Sequence, residues 1–131
     1  MFRVLFLLFL SCLWVPAVMA QDPVKVDPQH YKVEFENAQV RVLRVTYGPH
    51  EKSVMHEHPA GVVVFLTEQQ GKFTYPDGKT EELSGKAGET RWVAGGKHLP
   101  ENLSDKPFEL VLVELKAKPA RAAKRSATPK P

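Results

Sequence analysis

Apolar and polar residues alternate along most of the chain between positions 31 and 115, which is the pattern of half-buried β-strands. The first predicted strand places Tyr31, Val33 and Phe35 on one face and charged residues on the other. The remaining predicted strands are 40–47, 53–58, 62–66, 71–75, 79–83, 90–93 and 108–115. Short strands at regular spacing predict an all-β domain, built as an antiparallel sandwich or barrel.

Local interruptions of the alternation refine this prediction. Val42 and Leu43 are adjacent apolar residues within one strand, which indicates a β-bulge. Pro76-Asp77-Gly78 separates two strands and predicts a hairpin, because its glycine supplies the positive φ that tight turns need. Gly95-Gly96 ends the strand at 90–93, so the residues after it are expected to form a short loop.

The segment 62–66 is apolar on both faces, unlike the other strands. Such a strand needs cover on both sides, so it is either a central strand or part of a subunit interface. We therefore expect a homodimer in which Val64, on the face opposite Val63 and Phe65, contacts a second copy. Phe65 and Trp92 are expected to belong to the core.

The first twenty residues have the composition of a secretory signal peptide. Arg3 provides the positive charge, and an apolar run from Val4 to Val15 follows it. A helix of that length spans about 18 Å, which is too short for the roughly 30 Å of a bilayer core. Ala20 fits the cleavage site, so the mature chain is expected to begin at Gln21 and to be periplasmic or secreted. An uncleaved N-terminal anchor is the alternative.

The formal net charge of +3 combines two oppositely charged regions. Residues 21–115 carry eleven basic and fifteen acidic residues, a net charge of −4. Residues 116–131 carry six basic residues and no acidic one, and are predicted to be a disordered basic tail. The tail is either a solvated terminus or a weak contact to an anionic surface. The acidic body and the lack of a recognition helix argue against nucleic-acid binding.

Candidate chemistry is concentrated in the histidines. Cys12, the only cysteine, lies in the predicted signal peptide, so the mature chain has no thiol for catalysis or metal binding. His56 and His58 are two residues apart on a predicted strand, so both side chains point to one face. Val54 shares this face, which is therefore expected to be the interior. Two buried imidazoles are costly unless their ring nitrogens are satisfied, and a divalent metal satisfies them directly.

The sequence around these residues resembles the cupin family. The first cupin motif has a glycine, His-x-His, a glutamate and a further glycine, and Gly48, His56, His58 and Gly71 occupy comparable places. The second motif has a glycine, a histidine and an asparagine, and here Gly88, His98 and Asn102 follow that order. The resemblance covers residues 38–115. It implies a jelly-roll β-barrel, a double-stranded β-helix, with a metal site inside.

The resemblance implies that His56, His58 and His98 bind one divalent metal, which could be Fe, Mn, Ni or Zn. Two departures from the family pattern affect this site. The glutamate of the first motif would fall at Val62 or Val63, and neither can bind a metal. The second motif has an alanine in place of proline and one residue fewer before His98. Three neutral histidines leave coordination positions open for water or substrate.

Three further residues are candidates for supporting roles. His50 lies in a predicted loop eight residues before His58, where it is either an acid–base group near the barrel mouth or an exposed loop residue. Glu101 could replace the missing carboxylate. Asn102 is expected to hold its turn through side-chain-to-backbone hydrogen bonds.

Two classes of function remain open. The first is an exported cupin that holds a divalent metal through three histidines and acts on a small organic acid or related molecule, as a dioxygenase-like oxidoreductase. The second is a non-catalytic cupin without metal that binds a small ligand or serves a structural role. Three strand arginines are expected to point to solvent or, alternatively, to pair with a substrate carboxylate; they are Arg41, Arg44 and Arg91. The predicted organisation is a signal peptide at 1–20, an N-terminal segment with the first strand at 21–37, a barrel at 38–115 and a tail at 116–131.

Overall fold

The computed structural model describes residues 21–118, which form one short helix and nine β-strands. The elements are α1 (Pro23–Val26), β1 (Tyr31–Glu36), β2 (Val40–Tyr47), β3 (His56–His58), β4 (Gly61–Phe65), β5 (Gln69–Thr74), β6 (Thr80–Gly85), β7 (Thr90–Val93), β8 (Gly96–Asn102) and β9 (Phe108–Leu115). The predicted signal peptide and positions 119–131 of the predicted tail lie outside the described residues. Within residues 21–118, no helix is long and apolar enough to cross a membrane.

The strands form two antiparallel sheets that enclose the core. The five-stranded sheet has the order β1-β2-β9-β4-β7, and the four-stranded sheet has the order β3-β8-β5-β6. Strands distant in sequence are neighbours in both sheets, as in a jelly-roll barrel, and the all-β prediction is confirmed. The core residues are Tyr31, Leu43, Val45, Tyr47, Val63, Phe65, Phe108, Leu110 and Leu112.

The segment after Gly95 is a strand, β8, and the prediction of a loop there is wrong. Gly95 and Gly96 have φ angles of 82° and 124°, and they turn the chain from β7 into β8. β8 then pairs with β3 on one side and with β5 on the other. The sequence pattern does not predict this strand, because its apolar and polar residues do not alternate and because Pro100 has no backbone N–H to donate to a neighbouring strand.

Two local predictions near the start of the barrel are also wrong. Positions 53–55 are not part of β3, and Val54 is 47% exposed instead of lying on the inner face. The β-bulge lies on β1, where the register shifts between Val33 and Phe35 opposite the adjacent residues Leu43 and Val42. The adjacent apolar pair in β2 therefore marks the place of the bulge but not the strand that carries it.

Large apolar side chains lie on the outer face of the five-stranded sheet. Phe65 is buried as expected, but Trp92 is 58% exposed, so its assignment to the core is wrong. Trp92 lies opposite Val62 in the pairing of β7 with β4, and Val62 and Val64 are the half-buried positions that alternate with the buried ones. β4 is a central strand, between β9 and β7, which is one of the two alternatives that its apolar sequence predicts.

Candidate metal centre

Strands β3 and β8 bring three histidines together inside the barrel. His56 and His58 are alternate residues of β3, and His98 lies directly opposite His56 in the pairing of β3 with β8. His56 and His58 are both buried, and His98 is half-buried. Each of the three offers a ring nitrogen, and these atoms lie within 4.8 Å of one another. The three histidines proposed as ligands from the sequence therefore form one cluster.

The two histidines of β3 direct their Nε2 atoms at the same place. Nε2 of His56 is 3.0 Å from Nε2 of His58. Nδ1 of His56 donates a hydrogen bond to the carbonyl oxygen of Val54 at 2.8 Å, so the Nε2 of a neutral ring carries a lone pair. Metal-binding histidines are commonly held in this way, with one ring nitrogen bonded to the protein and the other directed at the ion.

A buried carboxylate holds His58 in the matching orientation. Nδ1 of His58 donates to Oε1 of Glu114 at 2.6 Å, and Oε2 of Glu114 accepts from Nε of Arg41 at 2.6 Å. Arg41 also donates to Asp22 at 3.0 Å. Burial alone would raise the pKa of Glu114, but the hydrogen bonds from His58 and Arg41 lower it below its ordinary value. Arg41 is therefore paired inside the protein, and the expectation that its side chain points to solvent is wrong.

His98 completes the cluster from the neighbouring strand. Its ring is stacked on the ring of Phe73, with the centroids 4.1 Å apart. Burial, together with the neighbouring His58 and His56, lowers the pKa of His98 to about 3. Burial and the neighbouring His58 lower the pKa of His56 to about 4. Both rings are neutral at pH 7, and the neutral ring is the form that binds a metal ion.

The donor set fits a divalent transition metal. Imidazole nitrogen is a good ligand for iron, nickel and zinc, and three of them leave further coordination positions open. Val63, at a position matched to the cupin glutamate, is buried on the cavity wall, whereas Val62 lies on the outer face. Glu114 supplies a carboxylate behind His58, where it orients the ligand instead of facing the ion.

Two of the supporting candidates lie apart from the cluster. His50 is on an exposed loop, has a φ of 56°, and its Nε2 bonds to Asp105 at 2.6 Å. Glu101 forms an ion pair of 2.9 Å with Lys72, and this contact lowers the pKa of Glu101. The structure therefore gives each of these side chains a partner outside the metal centre.

Asn102 is fully buried and holds the ends of two loops. Its Nδ2 donates to the backbone oxygen of Gly48 at 2.9 Å and to that of Lys106 at 2.8 Å. Its Oδ1 accepts from the backbone nitrogen of Ser104 at 3.1 Å. These are the side-chain-to-backbone bonds that its place at the end of β8 predicts.

A second polar cluster, formed by residues that have no role predicted from the sequence, lies behind His56. His30 is 4% exposed, with Nδ1 at 2.7 Å from Oδ2 of Asp27 and Nε2 at 2.9 Å from Oε2 of Glu51. Ser53 donates to Asp27, and its Oγ is 3.4 Å from Nδ1 of His56. These residues lie outside the strands, so the alternation of apolar and polar positions does not predict where their side chains point. They fasten the N-terminal segment to the barrel beside the histidines.

The histidine cluster borders a cavity of about 620 Å³ inside the barrel. Its wall is mainly apolar and aromatic and includes Val63, Phe65 and Phe73. Tyr31 also lines it, with its ring centroid 4.9 Å from that of His56 and its hydroxyl 2.8 Å from the hydroxyl of Tyr47. Pockets that hold small organic molecules are commonly of about 300–1,000 Å³ and have such walls.

Solved structures share this architecture. The chain is similar to a cupin domain from Bordetella pertussis Tohama I, with 27% identity, 66% of this chain and 92% of that chain covered, and a TM-score of 0.61. It is also similar to an RmlC-like cupin family protein with a double-stranded β-helix fold from Methanocaldococcus jannaschii, with 15% identity, 65% and 77% coverage and a TM-score of 0.53. A conserved protein with a double-stranded β-helix domain from Klebsiella pneumoniae has 20% identity, 65% and 70% coverage and a TM-score of 0.51. No family model and no curated protein matches the chain.

Proposed function

Since this chain is a small cupin domain, we propose that it holds one divalent metal ion through His56, His58 and His98 and acts on a small organic molecule. The observation that supports this most is the arrangement of the two β3 histidines. Their Nδ1 atoms are bonded to the protein, and their Nε2 atoms converge at 3.0 Å beside the cavity. A bound ion would supply Lewis acidity and open coordination positions.

The chain's own residues prepare the site for such a reaction. The Val54 carbonyl oxygen and the Glu114 carboxylate orient His56 and His58, and the ring of Phe73 covers one face of His98. The apolar wall excludes water and packs against the organic part of a substrate. We propose a dioxygenase-like oxidation of a small organic acid or related molecule as the reaction class, supported by the open three-histidine donor set.

Metal analysis tests the proposed site. Mature protein purified without a histidine tag is expected to contain close to one Fe, Mn, Ni or Zn per chain. His56→Ala and His98→Ala should each lose most of this metal, while His50→Ala, which changes an exposed histidine bonded to Asp105, should retain it. Metal-free protein whose melting temperature does not respond to any of the four ions would contradict the proposal.

The reaction class is tested separately by oxygen consumption. Metal-loaded protein is screened with small organic acids and thiols, and His98→Ala serves as the control that lacks a ligand. Oxygen uptake that depends on both the added compound and His98 would support an oxidoreductase. Metal-loaded protein that consumes no oxygen with any compound would contradict this reaction class and leave the metal site standing.

A metal-free binding role is the second candidate, and one observation favours it. The Nε2–Nε2 contact of 3.0 Å is of hydrogen-bond length, and the two rings satisfy each other without an ion when one of them carries a proton on both nitrogens, with Glu114 as the counter-charge beside His58. With Nδ1 of each ring also bonded, the pair needs no metal to be buried. In this case the cavity would bind a small ligand without turnover, and metal analysis separates the two functions.

We propose that this function is carried out after export, in the periplasm or outside the cell. The support is the sequence of residues 1–20, with Arg3, an apolar run of twelve residues and Ala20 at the cleavage site. N-terminal sequencing of protein recovered from the periplasm or medium should begin at Gln21. Recovered protein that begins at Met1 would contradict cleavage.

A further inference from the structure

The cavity wall contains one buried amide that the metal site does not use. Gln69, the first residue of β5, is 6% exposed and lines the cavity. Every fully enclosed polar side-chain atom of the described residues has a hydrogen-bond partner, whereas the Gln69 amide makes no hydrogen bond to residues 21–118. Its amide atoms are therefore reached from the cavity, where they have donors and an acceptor to offer.

The neighbouring glycine shows where this amide points. Gly71 lies two residues along β5, on the same buried face. A Cβ atom placed on Gly71 would lie 3.1 Å from Nε2 of Gln69 and 3.3 Å from Cδ1 of Leu83. The amide therefore folds along β5 over the inner side of Gly71, in the space that a side chain would otherwise fill. It points along the barrel interior towards Phe73, which stacks on His98.

The surroundings of this amide are apolar. Gln69 is paired with Gly85, and the ring of Phe65 packs on the bare backbone of Gly85, within 2.6 Å of where a Cβ would stand. The guanidinium of Arg91 lies over the Phe65 ring, but its charge is paired with Glu89. The amide is therefore a polar group on an otherwise apolar wall, and a ligand that bonds to it gains a directed hydrogen bond that the surrounding wall does not offer.

We propose that Gln69 is a specificity-determining residue that selects, in the cavity, a small apolar or aromatic molecule carrying an uncharged hydrogen-bonding group. Carboxamide, lactam and hydroxyl groups match an amide, which both donates and accepts. A carboxylate at this position would be desolvated without a free counter-charge. We therefore expect an acid group of a ligand to lie beside the histidine cluster and not beside Gln69. This inference rests on the proposed function, in which the cavity takes a small organic molecule.

Three probes that differ only at one end test the inference: phenylpropanamide, phenylpropanoate and propylbenzene. Binding to the mature protein, with the metal it carries, is measured by calorimetry or ligand-observed NMR. The amide is expected to bind about tenfold more tightly than the hydrocarbon. Gln69→Met keeps the length of the side chain and should abolish this preference. Gln70→Met is the matched control, because the next residue of β5 is exposed, and it should retain the preference.

Measurements of stability and metal content distinguish a failure of the Gln69 inference from a failure of the proposed metal site. Gln69→Met keeps the length of the side chain and breaks no hydrogen bond within residues 21–118, so it should melt at about the same temperature as the parent. If no probe binds, if the parent prefers none of them, or if the preference survives in Gln69→Met, the inference is overturned. Metal content measured on the same samples tests the proposed function alone, since a metal-free parent that prefers the amide would refute the metal site and support Gln69.

Discussion

Arg41 and Glu114 lie directly opposite each other on β2 and β9, and their side chains form an ion pair of 2.6 Å. Both residues share a strand face with core residues, Leu43 on β2 and Leu112 on β9. Burying a charged pair on an apolar face costs free energy unless further hydrogen bonds satisfy it. His58 donates one such bond to the second oxygen of the Glu114 carboxylate. The pair therefore couples the wall of the barrel to the histidine cluster.

Glu114→Gln should weaken metal binding while leaving the fold intact. The amide still accepts a hydrogen bond from His58, but it no longer carries the negative charge that faces Nδ1 of that ring. Loss of such a supporting carboxylate typically lowers metal affinity by about 10–100-fold. Titration against a chelator of known affinity measures the change. Glu109→Gln is the matched control on the same strand, since Glu109 is half-buried on the outer face and pairs with Arg44 instead of a histidine. Equal metal affinity in Glu114→Gln and Glu109→Gln would contradict the prediction and leave Glu114 only a structural role.

Metal-free protein should lose stability as the pH falls below about 6.5, the ordinary pKa of histidine. The folded protein holds His98 neutral down to a pKa of about 3 and His56 to about 4. The unfolded chain binds more protons between these values and 6.5, so the free energy of unfolding decreases as the pH falls through that window. Urea denaturation of chelated protein at several pH values measures the slope.

His98→Phe supplies the comparison for this pH effect. It removes one group that titrates in the unfolded chain only, and it keeps an aromatic ring against Phe73. The decrease in unfolding free energy between pH 6.5 and 4 should therefore be smaller in the variant than in the parent. Parallel slopes in the two proteins would show that burial does not hold His98 neutral.

The histidine cluster could be predicted because its residue types and spacing are local properties of the sequence. His56 and His58 share a face by strand geometry, whatever the partner strands are. The supporting pair was missed because its meaning depends on pairing between strands far apart in sequence. Arg41 and Glu114 each stand on a strand face that is otherwise apolar. A charged residue at such a position is the one sign in the sequence that points to a buried ion pair.

The arrangement of β8 and the outer face could not be read from the same pattern. β8 is held by β3 and β5, and its Pro100 argues against a strand when only local preferences are considered. Trp92 lies outside because the register of β7 on β4 places it opposite Val62. A register is set by the whole sheet, so the sequence of one strand does not determine which face is buried.

Gly95→Ala should destabilise the protein far more than Gly88→Ala. Both glycines have nearly the same φ, 82° and 83°, so the backbone cost of a side chain, about 1–2 kcal/mol, is shared. A Cβ on Gly95 would lie 2.7 Å from backbone atoms of Pro59 and Ala60, whereas nothing lies within 4 Å of one on Gly88. The contact also pushes on the carbonyl oxygen of His58, so Gly95→Ala should lose metal as well. Chemical denaturation and metal analysis of both variants test this, and equal losses would contradict it.

The outer face of the five-stranded sheet carries a row of apolar residues that crosses all five strands. Successive pairings place Phe35, Val42, Val113, Val62 and Trp92 side by side. Phe35 and Trp92, at the two ends of the row, are more than half exposed. A contiguous exposed row of this kind is uncommon on a monomer and fits the homodimer expected from the sequence.

We propose that a second copy of the chain covers this face, because charges of both signs lie beside the apolar row. Arg44 bonds to Glu34 and Glu109 across β1, β2 and β9, so a two-fold axis can bring each sign against its opposite. Val64→Lys places a charge beside the row without touching the cavity, and it should shift a dimer to monomer in light scattering at micromolar concentration. Thr80→Lys, on an exposed strand of the other sheet, is the control and should leave the dimer unchanged. A parent that is monomeric at these concentrations, or a dimer that persists in Val64→Lys, would exclude this face as the interface.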